Sequence, residues 1–289
     1  MAQQERAVRT RKAILTAAGE VFDEVGYEAA TISAILQRAK VTKGALYFHF
    51  ASKEELAQAV LAQQLTWLPT VPQRNLALQQ GLDEALLLAH MLASGDPLVR
   101  GSVRLTVEQG SPHDGLDRQV PMAGWIEHNT KILTEARDNG ELLPGVDVVA
   151  AAQMFVGAFT GVQILSKLMT GRADLVERVA DLQRHLMAGI AVPAVLVQLD
   201  FSPERSKRVY EEAVGPTGRP SPWPWTDPPN AAVRRRLPTG SHPSYAPELR
   251  HGSPRTRTRC DTQPSHRGYD DGTDDLSLCP GRHGQRSRR

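Results

Sequence analysis

Apolar side chains over residues 7–22 fall at positions 14, 15, 17, 18, 21 and 22, the spacing of one helical face. Gly26 follows as a left-handed stop. A second helix is predicted from Thr31, with Ile32, Ile35, Leu36 and Ala39 turned inward, and a third, very short one from Thr42. A fourth runs from Ser52 to Leu68, where Pro69 ends it. Beyond Pro72 the periodic stretches lengthen. Helices are predicted over 74–93, over 97–109 behind the Asp96-Pro97 cap pair, and over 121–139 up to Gly140. Further ones cover 147–170, 174–190 and a short span from Ser202-Pro203 to near Val214. No strand-period alternation persists and no internal repeat is present. The expected fold is all-α: a small helical head, a larger helical body and a tail without pattern.

Charge divides along the same lines. Residues 1–53 hold 8 Lys/Arg against 5 Asp/Glu, residues 54–215 hold 13 against 20, and residues 216–289 hold 13 against 7. A basic head on an acidic body suits a head that binds a polyanion. The last segment contains 12 Pro, 7 Gly and 13 Arg with no Lys, and few aliphatic residues. It cannot bury enough apolar surface to offset its ordering entropy, so 216–289 is expected to be disordered. Translation out of an original frame in GC-rich DNA is one origin for such a composition. Both cysteines, Cys260 and Cys279, lie in that segment, so the folded part is expected to use neither disulfides nor thiol-bound metal. The start, MAQQERAVRTRK, lacks the apolar core of a secretory signal. One charge-free stretch between positions 147 and 167 reaches membrane length. Gln153, Thr160 and Gln163 within it favour a buried helix of a cytoplasmic protein over a membrane span.

The densest signal is TISAILQRAKVTKGALYFHFASKEEL over residues 31–56. Thr42 is a good N-cap, and Val41 with Leu46 forms a hydrophobic staple that fixes the entry angle. Lys43, Gly44 and Ala45 then occupy a first turn whose N–H groups suit a phosphate or base acceptor. Gly44 is poor helix material, by ~1 kcal/mol against Ala, which close approach of a partner would explain as well as chance would. Ser52 and Glu55 form a capping box, and Lys53 in that first turn opposes the helix dipole unless its ammonium meets a phosphate. Phe50 and Phe48 are read as core, while Tyr47 and His49 are placed within reach of a nucleic-acid backbone.

This run resembles the DNA-reading region of the TetR family of repressors. The resemblance implies a three-helix helix-turn-helix head at 1–53, extending to about 68 with the connecting helix, and a ligand-binding and dimerisation body at 54–215. It implies DNA contacts at Thr42, Lys43, Gly44, Ala45, Tyr47, His49 and Lys53, with Thr31 capping the preceding helix beside a phosphate. Lys40 departs from the family, which usually has Gly in that turn; a left-handed conformation would cost Lys roughly 1 kcal/mol.

In the body, DPLVRGSVRLTVEQ, GELLPGVD, FVGAFTGVQILSKLMTGRADLVERV and FSPERSKRVYEEA resemble the γ-butyrolactone receptor branch of that family. A Trp in PMAGWIEHNTKIL would by itself be core; the branch implies that Trp125 lines a signal pocket. Thr160 and Gln64 are candidate polar ligand contacts, although each could instead bond its own backbone or water. The apolar helix at 147–170, with Gly157 and Gly161, and the helix at 174–190 suit a homodimer face, against a tight monomer core. The implied protein is a repressor of double-stranded operator DNA, cytoplasmic and nucleoid-associated when bound, released by a butyrolactone-type effector. A pseudo-receptor answering to an antibiotic or biosynthetic intermediate is the near alternative. An enzyme or an architectural DNA-binding protein is the distant one. No nucleophile, phosphate-loop or metal pattern appears, His90, His113, His128 and His185 lack ligand-like spacing, and neither catalytic residues, a metal nor a cofactor are expected.

Overall fold

A computed structural model describes residues 2–62, 64, 68–108 and 114–215. The head begins with α1 (Ala2–Ala29), followed by α2 (Ile32–Ala39), α3 (Lys43–His49) and α4 (Lys53–Ala62). Ile14, Leu15, Phe22, Ile35, Leu46, Phe50, Leu56 and Leu61 are buried together, so each helix contributes its periodic face to one core. Gly26 does adopt a positive φ of 79°, but the chain resumes helical turns to Ala29 rather than stopping. The reason is remote in sequence. The Glu108 carboxylate accepts a hydrogen bond from the Tyr27 N–H at 3.0 Å and restarts the turn. A Cβ on Gly26 would strike that carboxylate.

The body comprises α5 (Ala77–Ser94), α6 (Pro97–Val107), α7 (Gln119–Asp138), α8 (Val148–Thr170), α9 (Leu175–Ala188), α10 (Pro193–Leu196) and α11 (Arg205–Val214). Asp96 and Asp147 cap α6 and α8 through two backbone N–H groups each, as their sequence positions suggest. The start of α5 is set three residues later than the pattern predicts. The buried Glu141 carboxylate accepts from the N–H groups of Ala77 and Leu78 at 2.8 and 2.9 Å, capping the helix from 64 positions away. The one-turn α10 was not predicted. Buried Asp83 on α5 binds Arg74 at 2.6 Å and Arg205 of α11 at 2.5 Å, pinning the last helix to the body. Among the described residues no strand forms; a single bridge pairs Leu142 with Ala191. The segment 216–289, expected to be disordered, lies outside the described residues, as do positions 63 and 65–67 of the predicted fourth helix.

Head and body meet along α1 and α6. Leu98 and Leu105 of α6 sit in the head core. The two backbones cross at a pair of glycines: a Cβ on Gly101 would lie 2.3 Å from the Gly19 carbonyl oxygen, and one on Gly19 would lie 2.6 Å from the Pro97 oxygen. Arg104 donates to the Asp23 carbonyl, and the Asp23 carboxylate meets Lys167 of α8 at 3.4 Å.

Among the described residues, α8 is the one helix long and apolar enough to cross a membrane by length and composition. Its inner face buries Ala151, Ala152, Phe155, Gln163 and Ser166. Its outer face leaves Val149, Met154, Ile164, Leu165, Leu168 and Met169 exposed. A Cβ at Gly157 or Gly161 would meet nothing within 4 Å, so neither glycine serves packing inside one chain.

Candidate DNA-reading helix and ligand cavity

Local chemistry builds α3. Thr42 is extended at φ −77° and its hydroxyl accepts from the Ala45 N–H at 3.2 Å; Thr31 does the same for Ala34 at 3.1 Å. Lys40 occupies the left-handed region at φ 54° and ψ 42°, so the turn between α2 and α3 carries the strain expected of a non-glycine residue. Leu46 is buried and anchors α3 to the head, while Val41 packs on the same core. Lys43, Gly44 and Tyr47 are exposed, with Ala45 and His49 partly so. The Lys43 ammonium stands 5.8 Å from the centre of the Tyr47 ring. No described residue places an atom within 4 Å of where a Gly44 Cβ would be, so none of them demands a glycine there.

Phe48 sits differently from expectation, and Lys53 has partners within the chain that the sequence did not suggest. Phe48, read as core, is 79 % exposed; only Phe50 of that pair is buried. On a seven-residue helix held by Leu46, position 48 falls on the opposite side, and no second layer of described residues covers it. Lys53 has its ammonium on the carbonyls of Tyr27 at 3.0 Å and Ala30 at 3.2 Å, over the Tyr27 ring at 4.3 Å. The cation that opposes the dipole of its own helix thus caps the C-terminal end of α1. The Tyr27 phenol is pushed up to about 12 by burial, with Glu54 and Asp114 adding to the effect. In the capping box, Ser52 accepts from Glu55 at 3.1 Å, while the Glu55 carboxylate reaches Ala51 rather than Ser52.

A cavity opens inside the body. Its walls include Leu88, Val103, Met122, Phe155 and Phe159. Trp125 of α7, Thr160 of α8 and Gln64 all line it. The Trp125 indole donates to Gln64 Oε1 at 3.3 Å, and Gln64 Nε2 donates to the Thr106 hydroxyl at 3.1 Å. Thr160 donates to its own helix at the Val156 carbonyl, 2.8 Å away, which spends its one O–H and leaves the hydroxyl oxygen as an acceptor only. The His128 ring and Glu84 pair at 2.5 Å on another side.

Gln163 and Gln183, which sequence reasoning did not single out as site residues, also line this cavity. They are 2 % and 3 % exposed, and among the described residues Gln163 Nε2 and Gln183 Oε1 have no hydrogen-bond partner. Buried amide atoms left unpaired are costly, so a donor and an acceptor stand ready for a polar guest. A usable signal existed: both glutamines interrupt the apolar face of their helices.

Residues 14–60 match the family described as bacterial regulatory proteins, tetR family. Over 202 residues the chain is 41 % identical to the A-factor receptor protein of Streptomyces griseus, covering 69 % of this chain and 70 % of that protein. The crystal structure of full-length TylP, a TetR regulator from Streptomyces fradiae, is 62 % identical, covers 73 % of this chain and all of that one, and superposes with a TM-score of 0.70. CprB from Streptomyces coelicolor, solved in complex with its biological operator sequence, is 28 % identical, covers 72 % of this chain and 99 % of its own, with a TM-score of 0.54.

Proposed function

Since this chain belongs to the TetR family, we propose that it acts in the manner of the γ-butyrolactone receptors it resembles, repressing transcription by seating α3 in the major groove of operator DNA until a butyrolactone-type effector fills the body cavity. Thr42, Lys43, Gly44, Ala45, Tyr47 and His49 supply the groove and phosphate contacts, with Thr31 beside a phosphate. Lys53, whose ammonium also fixes the end of α1 against α4, adds a further phosphate contact. Trp125, Thr160 and Gln64 bind the effector, joined by Gln163 and Gln183. The observation that carries this reading is that Trp125, Thr160 and Gln64, up to 96 positions apart, meet at one mostly apolar cavity.

Two copies join through α8 and α9, and their α3 helices meet half-sites one DNA turn apart, ~34–36 Å, or a multiple of it. The exposed apolar stripe on α8 and the open Gly157 and Gly161 support this. Helix α6 lies between cavity and head: Val103, Thr106 and Val107 line the cavity, while Leu98 and Leu105 pack in the head core. An effector that binds better when α6 is displaced therefore favours a head spacing that misfits the operator; only that differential affinity moves the equilibrium. A regulator of this kind works in the cytoplasm, on the nucleoid when bound.

The test is a gel shift on the DNA upstream of the protein's own coding region, titrated with A-factor and separately with culture extract. Release by A-factor, lost in Trp125→Ala with the shift itself retained, is the expected result. Release by extract alone would assign the pseudo-receptor reading, and no shift with any duplex would end the proposal.

A further inference from the structure

A phenyl ring on a recognition helix has no hydrogen bond to give. Phe48 is 79 % exposed, the most exposed large apolar side chain among the described residues of the head. Its place on α3 is informative. At ~100° per residue, Phe48 and Gly44 each lie roughly 160° from the buried Leu46, one turn apart on the ridge pointing away from the head. Lys43 and Tyr47 flank that ridge on one side, Ala45 and His49 on the other. Whatever surface α3 lies against, Gly44 and Phe48 face it most directly. Gly44 brings nothing that obstructs approach, since the space beside it is open. Arg6, Ala7 and Thr10 of α1 share a shallow groove with Ala45, Phe48 and His49, so a cation stands beside the ring where a phosphate would pass.

Phosphate oxygens and the polar base edges offer a phenyl ring nothing. The apolar group the major groove does present is the 5-methyl of thymine. Resting on the reading that α3 enters the groove, we infer that Phe48 is a specificity-determining residue that packs on a thymine methyl one helical turn from Gly44. The ring buries more apolar surface when that methyl is present, so the contact discriminates thymine from cytosine at a position where no hydrogen bond is made.

Deoxyuridine tests this directly, because it removes the methyl and leaves every hydrogen-bonding group of thymine in place. A duplex selected from a random-sequence pool by the full-length protein is scanned by replacing each thymine in turn. Wild type is expected to lose about fourfold in affinity at one position per half-site, the factor for one methyl-sized apolar group. Phe48→Ala should bind more weakly overall yet be indifferent to that same replacement, and Phe48→Leu should recover part of the sensitivity. Measuring at lowered salt keeps the weak variant in range, since phosphate contacts strengthen there. Equal deoxyuridine losses in wild type and Phe48→Ala at every position would overturn the inference. Should Lys43→Ala and Tyr47→Ala also bind as wild type does, the fault would lie with α3 as the reading helix, a separable failure.

Discussion

Gly44 is the residue whose conformation and surroundings disagree most about why it is there. Its Cβ would meet nothing within 4 Å, so alanine fits the folded chain without displacement. Alanine is also the better helix former, by up to ~1 kcal/mol and less in a first turn. Gly44→Ala is therefore expected to raise the urea midpoint slightly while weakening operator binding, as a methyl intrudes on close approach. A variant that gains stability and keeps full affinity would show the glycine to be incidental. His90 makes a different residue-scale prediction. Burial lowers its imidazole pKa from the usual 6.5, Lys207 lowers it further, and Glu211 opposes them; its ring lies 5.0 Å from that of Tyr210. A group whose folded pKa is depressed stabilises the fold above its unfolded pKa and loses that contribution as pH falls toward the folded one. Stability should thus decline as pH drops below 6.5, and His90→Gln should flatten that decline in denaturation series from pH 7 to 5. What sequence revealed at this scale was local: the Thr31, Thr42, Asp96 and Asp147 caps are each satisfied within three residues. Phe48 was misjudged because ring residues are usually core, although its position opposite Leu46 was already legible.

At the scale of elements, periodicity located ten of the helices, and their displaced ends record contacts that no local pattern carries. Glu141 begins α5 and Glu108 restarts α1 beyond Gly26, each across more than sixty positions. The one-turn α10 is too short to leave a periodic trace. Helix α8 shows the converse. Its all-round apolar character predicted burial on several sides, yet in one chain its outer stripe is open and Leu168 is 77 % exposed. A stripe of that kind with two unused glycines suits a second copy of the helix. Leu168→Glu should then leave helical content unchanged while shifting sedimentation from dimer to monomer at micromolar concentration. In the proposed arrangement one head grips half a site, so operator affinity should fall by more than tenfold in the same variant. A dimer that persists with Glu at 168 would move the interface off α8.

Across the whole molecule, the proposed switch requires that filling the body cavity be felt by the head, and α6 is an element that touches both. It lines the cavity with Val103, Thr106 and Val107 and crosses α1 at Gly19 and Gly101, too closely to slide independently. The Asp23 to Lys167 ion pair ties the same end of the head to α8, which supplies Phe155 and Thr160 to the cavity. Coupling between effector and operator is a single free energy, so it must be the same measured from either side. Gly101→Ala drives a methyl into the Gly19 backbone and should force α1 and α6 apart, costing about 1–3 kcal/mol as overpacking does. If α6 carries the signal, this variant will still bind effector and DNA separately, but saturating effector will reduce operator affinity by a smaller factor than in wild type. Saturating operator will reduce effector affinity by that same smaller factor. A variant that is destabilised yet keeps the wild-type factor would assign the crossing to packing alone and send the search for coupling to the α8 ion pair.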